Sequence, residues 1–147
     1  VPFIKKIKAM GFRVKLDSNG TNPAMLQELI SKNLIDYVAM DIKGPIDKYS
    51  QIAARPIDTN AIAESIKLII KSIDHEFRTT IVRTQLSPAD FEPIGKLVKG
   101  ANRYALQHFV AGNTVSPQFH NAESFNPDEM EQARVIMKKY VKECVVH

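Results

Sequence analysis

The chain has 147 residues, 44% of them hydrophobic and 24% charged, with a formal net charge of +4. This length and composition are ordinary for one soluble domain, and no apolar run approaches the ~20 residues that cross a membrane. The lysines are spread along the chain rather than clustered, so neither a membrane nor a nucleic-acid partner is predicted.

Helices and strands alternate along the chain, as judged from hydrophobic periodicity and from Pro, Asn, Ser and Gly at the boundaries. In chain order they are helix 2–10, strand 12–16, a helix from 22, strand 36–42, helix 59–72, strand 77–82, helix 87–100, strand 104–110 and helix 126–141. This order predicts an α/β fold with parallel strands. A complete (β/α)8 barrel takes about 250 residues, so we predict a partial TIM-type barrel of about four βα units.

The chain begins at Val1 rather than Met and opens directly into helical pattern without a signal peptide. We therefore expect it to be part of a longer protein. The first strand should then lie at an open sheet edge and favour self-association. The single cysteine, Cys144, excludes an internal disulfide and a cysteine-ligated cluster within these residues, and it fits a reducing, cytoplasmic location.

Two neighbouring strands each end in a carboxylate. Asp17 is followed by Ser18 and Asn19, and Asp41 is followed two residues later by Lys43. Parallel strands bring their carboxyl ends to one edge, where ligands bind. Two carboxylates ~4 Å apart repel by about 4 kcal/mol at an effective dielectric constant near 20. The pair therefore needs a cation, a shared proton or an ammonium group.

Each of these signals also has a purely structural interpretation. The Asp17–Asn19 stretch is a good turn sequence, and Asp41 with Lys43 could be a surface ion pair. Arg78 could be a surface arginine, and Gln107 could be a core amide. The four histidines, which we interpret as structural or exposed, are His75, His108, His120 and His147.

Four stretches together resemble the radical S-adenosylmethionine activating enzymes, in the branch of anaerobic ribonucleoside-triphosphate reductase and pyruvate formate-lyase activating enzymes. The stretches are FIKKIKAMGFRVKLDSNGTNP, LIDYVAMDIKGPIDKY, HEFRTTIVRTQLSPADFEPI and YALQHFV. The resemblance implies strands three to six of a (β/α)6 barrel, with residues 1–147 as the C-terminal portion of the domain. The family's CxxxCxxC motif, which holds a [4Fe-4S] cluster, and its Gly-Gly-Glu-Pro motif are not in this sequence. We therefore expect this chain alone to be inactive.

The resemblance also implies residue roles. Asp17, Ser18, Asp41 and the carbonyl of Met40 resemble the site of a monovalent cation, Na⁺ or K⁺, near the cofactor carboxylate. Lys43 resembles a lysine that reaches S-adenosylmethionine. The full set of implied cofactor-binding residues is Asp17, Ser18, Asn19, Asp41, Lys43, Arg78, Thr80, Gln107 and Phe109.

The function that follows from the resemblance is an oxidoreductase of anaerobic metabolism. The intact protein would cleave S-adenosylmethionine reductively and generate a glycyl radical on a partner of the anaerobic ribonucleotide reductase or pyruvate formate-lyase type. Two enzymatic alternatives remain open. One is a radical S-adenosylmethionine enzyme that acts on a small molecule, and the other is an aldolase-like barrel in which Lys43 forms a Schiff base. A third alternative is a non-catalytic binding domain.

Overall fold

A single parallel sheet organises the chain in the computed structural model, which describes residues 1–112 and 117–147. The strands are β1 (Lys15–Ser18), β2 (Tyr37–Asp41), β3 (His75–Ile81), β4 (Arg103–His108) and β5 (Glu143–Val146). They lie side by side in chain order, and each is parallel to its neighbour. All strands therefore end at the same edge of the sheet.

Helices connect the strands. They are α1 (Pro2–Ala9), α2 (Pro23–Ser31), α3 (Tyr49–Ile52), α4 (Thr59–Ser72), α5 (Phe91–Leu97) and α6 (Pro127–Met137). Side chains cap the first turns of three of them, α2, α4 and α6. Asn22 accepts a hydrogen bond from Met25 N, Asp58 accepts one from Asn60 N, and Asn126 accepts one from Glu129 N. These bonds satisfy backbone donors that have no partner inside a helix.

The core lies between the helices and one face of the sheet. Alternate strand residues, among them Met40, Phe77 and Leu106, are fully buried there. The opposite face carries the alternating polar set, including Asp41, Arg78 and Gln107, because successive strand side chains point to opposite faces. The predicted α/β class, with four βα units and parallel strands, is confirmed.

The end of the chain differs from the prediction. We predicted one helix over 126–141, but α6 ends at Met137 and the chain then forms β5 beside β4. Glu143 N donates to Asn102 O at 3.1 Å, and His147 N donates to Leu106 O at 2.8 Å. The free backbone groups of β4 favour a fifth strand, and hydrophobic periodicity does not reveal such a distant partner.

The first strand also begins later than predicted. We predicted 12–16, but Phe12 is exposed, and the ladder with β2 runs from Lys15 to Ser18. Among the described residues β1 pairs only with β2, and it thus forms one edge of the sheet. Within the two described ranges, no helix combines the length and the apolar character needed to cross a bilayer.

Candidate functional site

The two strand-end carboxylates meet at a guanidinium group. Arg78 Nε donates to Asp41 Oδ1 at 2.6 Å, and Arg78 Nη2 donates to Asp17 Oδ2 at 3.0 Å. The sheet register brings Arg78 and Asp41 together, because they are neighbours on adjacent strands and both point away from the helices. Three residues separated widely in sequence thus form one ionic cluster on the open face.

Two further positive charges lie beside this cluster. Lys43 Nζ lies 3.3 Å from Asp41 Oδ2, and Lys15 Nζ lies 3.7 Å from Asp17 Oδ1. The hydrogen bond to Asp41 raises the pKa of Arg78 above its usual value, against the opposing effect of burial. The guanidinium is therefore a permanent positive charge between the two carboxylates.

The implied site for Na⁺ or K⁺ is not supported by this geometry. Arg78 already bridges Asp17 and Asp41, and Ser18 Oγ accepts a hydrogen bond from Gly20 N at 3.0 Å. In the described ranges, no group of three or more His, Cys, Asp or Glu residues could hold a metal ion. The arginine supplies the compensating charge that a bound ion was expected to provide.

A cavity of about 360 Å³ opens beside the cluster. Five of the residues that we predicted to bind a cofactor line it: Asp41, Lys43, Arg78, Thr80 and Phe109. Its volume falls within the range of small-molecule sites, which combine apolar walls with a few polar groups. The arrangement can bind a molecule that carries charges of both signs.

The other predicted residues lie outside the cavity wall. Ser18 and Asn19 hold the turn after β1, where Asn19 Oδ1 accepts from Thr21 N at 3.1 Å. Gln107 lies beside Thr80 in the register, and Thr80 Oγ1 donates to Gln107 Oε1 at 3.4 Å. Asp17 reaches the site through Arg78.

Sequence reasoning missed the cavity residues that lie between the strands, two of them on α3. They are Ile42, Gln51, Ile52, Ala53, Ala54, Val82, Gln85, Gln118 and Phe119. Phe119 lies against Phe109, with ring centroids 6.2 Å apart, and so forms an aromatic wall. No periodic pattern marks such residues, because they lie on connections rather than on strands.

A second row of charges lies one layer further from the strand ends. Lys15 Nζ is 3.6 Å from Glu76 Oε1, and Arg103 Nε is 3.8 Å from Glu76 Oε2. Sequence analysis missed this row as well. A signal was present, since Lys15 and Glu76 precede Asp17 and Arg78 by two residues and must share their face.

Comparison with known proteins agrees with the resemblance drawn from the sequence. No protein-family model matches the chain. The "Putative glycyl-radical enzyme activating enzyme MJ1227" of Methanocaldococcus jannaschii is 35% identical over 144 residues, which are 95% of this chain. The resemblance to the glycyl-radical enzyme activating enzymes is confirmed. The chain spans 60% of the length of that relative.

A solved structure supports the fold. A domain of pyruvate-formate lyase-activating enzyme from Bacteroides vulgatus superposes with a TM-score of 0.75, over 99% of this chain and 88% of that one. The two sequences are 9% identical, so this likeness shows the fold alone.

Proposed function

We propose that the chain is the C-terminal portion of a radical S-adenosylmethionine domain and that the cavity beside Arg78 binds S-adenosylmethionine. The observation that carries the proposal is the meeting of Asp41, Lys43 and Arg78 at the wall of one cavity. The family relationship supports it.

The residues present fit this cofactor. S-adenosylmethionine carries a carboxylate, an ammonium and a sulfonium group together with a ribose and an adenine. Lys43 would pair with the carboxylate, and the free lone pairs of Asp41 would accept from the ammonium or a hydroxyl group. Phe109 and Phe119 would pack against the adenine, and Thr80 with Gln107 would offer hydrogen bonds nearby. Arg78 would hold Asp41 in place, with Asp17, Ser18 and Asn19 supporting it from β1.

A [4Fe-4S] cluster does not fit these residues. Such clusters need several thiolates, whereas the chain has one cysteine. Cys144 lies on β5 among core side chains, and burial raises its pKa to about 11, so it stays a protonated thiol. Cluster ligands would have to come from outside these 147 residues.

The activity that we propose for the intact protein is formation of a glycyl radical on a partner enzyme. S-adenosylmethionine, held beside a reduced cluster, would supply the radical chemistry that removes a hydrogen atom from a glycine of the partner. The residues of this chain bind and orient the cofactor and limit the access of water. The relative's name supports a glycyl-radical enzyme as the partner. Within that class we propose the anaerobic ribonucleotide reductase or pyruvate formate-lyase type.

The aldolase-like alternative is less well supported. Lys43 is 44% exposed at its side chain and lies 3.3 Å from Asp41. A lysine that forms a Schiff base is instead activated by desolvation or by a neighbouring cation. Lys43 is better suited to bind an anionic group.

Binding of S-adenosylmethionine to the full-length protein tests the proposal. Calorimetry under anaerobic conditions should show that Lys43→Met weakens binding roughly ten- to a hundredfold, as expected when a charge-assisted contact is lost. Lys96→Met is the matched control, because Lys96 is exposed on α5 and its Nζ lies 3.9 Å from Glu92 Oε1. Equal affinities for the two variants would contradict the proposed site.

The partner is tested separately by electron paramagnetic resonance. The reconstituted full-length protein, with cofactor and reductant, should produce a glycyl radical signal on a ribonucleotide reductase or formate-lyase type partner. Cleavage of the cofactor without a radical on either partner would instead favour the small-molecule alternative.

A further inference from the structure

The chain beyond the end of β2 is held by buried hydroxyl groups. β2 ends at Asp41, so the peptide groups on both sides of Ile42 lie beyond the strand. Tyr49 Oη donates to Asp41 O at 3.3 Å, and Thr79 Oγ1 donates to Ile42 O at 2.6 Å. Ile42 N donates to Arg78 O at 2.8 Å. Side chains therefore fix the backbone where regular sheet hydrogen bonding ends.

The hydrogen bonds have a defined direction. A carbonyl oxygen can only accept, so the proton of Thr79 Oγ1 goes to Ile42 O. The 2.6 Å contact between Thr79 and Tyr104 must then be a donation from Tyr104 Oη to Thr79 Oγ1. Burial raises the pKa of Tyr104, so this hydroxyl keeps its proton. The result is a series of hydrogen bonds directed from Tyr104 through Thr79 to Ile42.

These hydrogen bonds lie directly behind the cavity. Thr79 is 1% exposed and faces the core, while its neighbours Arg78 and Thr80 face the cavity. Ile42 is likewise buried between Asp41 and Lys43, which both line the cavity. A bond between Thr79 and Ile42 therefore sets the position of polar groups on the other face. Loss of this hydrogen bond destabilises the fold, because a buried carbonyl without a donor is strongly disfavoured.

We propose that Thr79, oriented by Tyr104, is a positioning residue that aims Lys43 and Asp41 at the bound cofactor. The inference rests on the proposed function and adds to it a residue that touches no ligand. Removal of the hydroxyl should free the segment 42–43 and spread Lys43 over several orientations. Affinity for the cofactor should fall even though every cavity side chain is still present.

The test compares three variants of the full-length protein by calorimetry with S-adenosylmethionine. Thr79→Val keeps the shape and removes the hydroxyl, so affinity should fall about tenfold. Thr79→Ser restores the hydroxyl and should bind within about twofold of the original protein. Ile94→Val is the control for a general loss of core packing, since Ile94 is fully buried on α5. Tyr104→Phe, which removes only the donor to Thr79, replaces Thr79→Val if that variant does not fold.

A double-mutant cycle separates positioning from a general structural effect. If Thr79 acts through Lys43, adding Thr79→Val to Lys43→Met should change affinity by less than about twofold. A full tenfold effect in that background, or equal affinities for Thr79→Val and Ile94→Val, would overturn this inference alone. Unchanged affinity in Lys43→Met by itself would overturn the proposed cofactor contact, and this inference with it.

Discussion

Arg78 Nε donates a 2.6 Å hydrogen bond to Oδ1 of Asp41, the residue that faces it on the neighbouring strand. The same guanidinium reaches Asp17 on the strand beyond. Two carboxylates would otherwise repel each other at the sheet edge, and the arginine offsets that repulsion without an added ion. The cluster leaves Lys43 and part of Asp41 available to a ligand.

Replacement of Arg78 should disrupt the site more than replacement of an exposed arginine. Arg78→Met leaves Asp17 and Asp41 without their shared donor, so the affinity for S-adenosylmethionine in the full-length protein should fall roughly tenfold or more. Arg134→Met is the control, because Arg134 pairs with Glu131 on the surface of α6. Calorimetry on both variants measures the effect. Unchanged binding in Arg78→Met would mean that Asp41 needs no arginine to keep its orientation.

Exchange of monovalent cations should have little effect. The resemblance implies a Na⁺ or K⁺ site, whereas in this structure Arg78 bridges the two carboxylates. Replacement of potassium by tetramethylammonium at constant ionic strength should therefore change cofactor affinity by less than about twofold. The measurement is a pair of titrations of the full-length protein. A tenfold loss of cofactor affinity in tetramethylammonium would support the cation site and would require Arg78 to move away from the two carboxylates.

Asp90 should make stability depend on pH. Burial tends to raise its pKa, but hydrogen bonds from Lys48 at 2.7 Å and from Ser87 outweigh burial and lower the pKa below 3.8. The Asp90 carboxylate therefore makes its full contribution to the free energy of unfolding above the pKa of the unfolded state, about 3.9. That contribution is lost as pH falls through the lower pKa of the folded state. Asp90→Asn should cost about 1–2 kcal/mol at pH 7.

Urea unfolding of the Asp90→Asn variant at pH 7 and near pH 3 tests this dependence. The difference in the free energy of unfolding between the variant and the original protein should be smaller at the lower pH, because the Asp90 carboxylate is then increasingly protonated. Asp47→Asn, at an exposed position next to Lys48 in sequence, is the control. A difference that stays constant with pH would show that Asp90 acts through shape rather than charge.

The open edge of the sheet should make the 147-residue chain self-associate. β1 has one neighbour, and Phe3, Met10 and Phe12 nearby are 73%, 68% and 57% exposed. Such an edge with apolar surroundings pairs readily with another chain. Sedimentation velocity should show a mass that rises with concentration. Phe12→Ser should reduce the association, whereas Val135→Ser on α6 should not, and a monomer at every concentration would refute the prediction.

Periodicity and strand-end chemistry were enough to predict much of the architecture. The strand predicted at 36–42 appears as β2 (Tyr37–Asp41), and the amphipathic helix predicted at 59–72 appears as α4 (Thr59–Ser72). Parallel pairing followed from the alternation of helices and strands. Asp17, Asp41 and Lys43 were identified because a charged residue at the end of an apolar strand is a local signal.

Features that depend on distant partners were not predicted. β5 forms because β4 offers unpaired backbone groups, and no pattern within residues 138–147 contains that information. The aromatic contact between Phe109 and Phe119 depends on how two connections fold back on the sheet.

The sequence by itself determined the class of fold, the direction of the strands and the family resemblance, because these depend on spacing, turn residues and motifs along the chain. The tertiary structure decided which charge lies between Asp17 and Asp41 and which buried hydroxyl holds Ile42. Register and packing bring Arg78 within 3.0 Å of a residue 61 positions away, and they place Thr79 against Ile42. Such distances depend on the whole sheet, so composition and local pattern do not contain them.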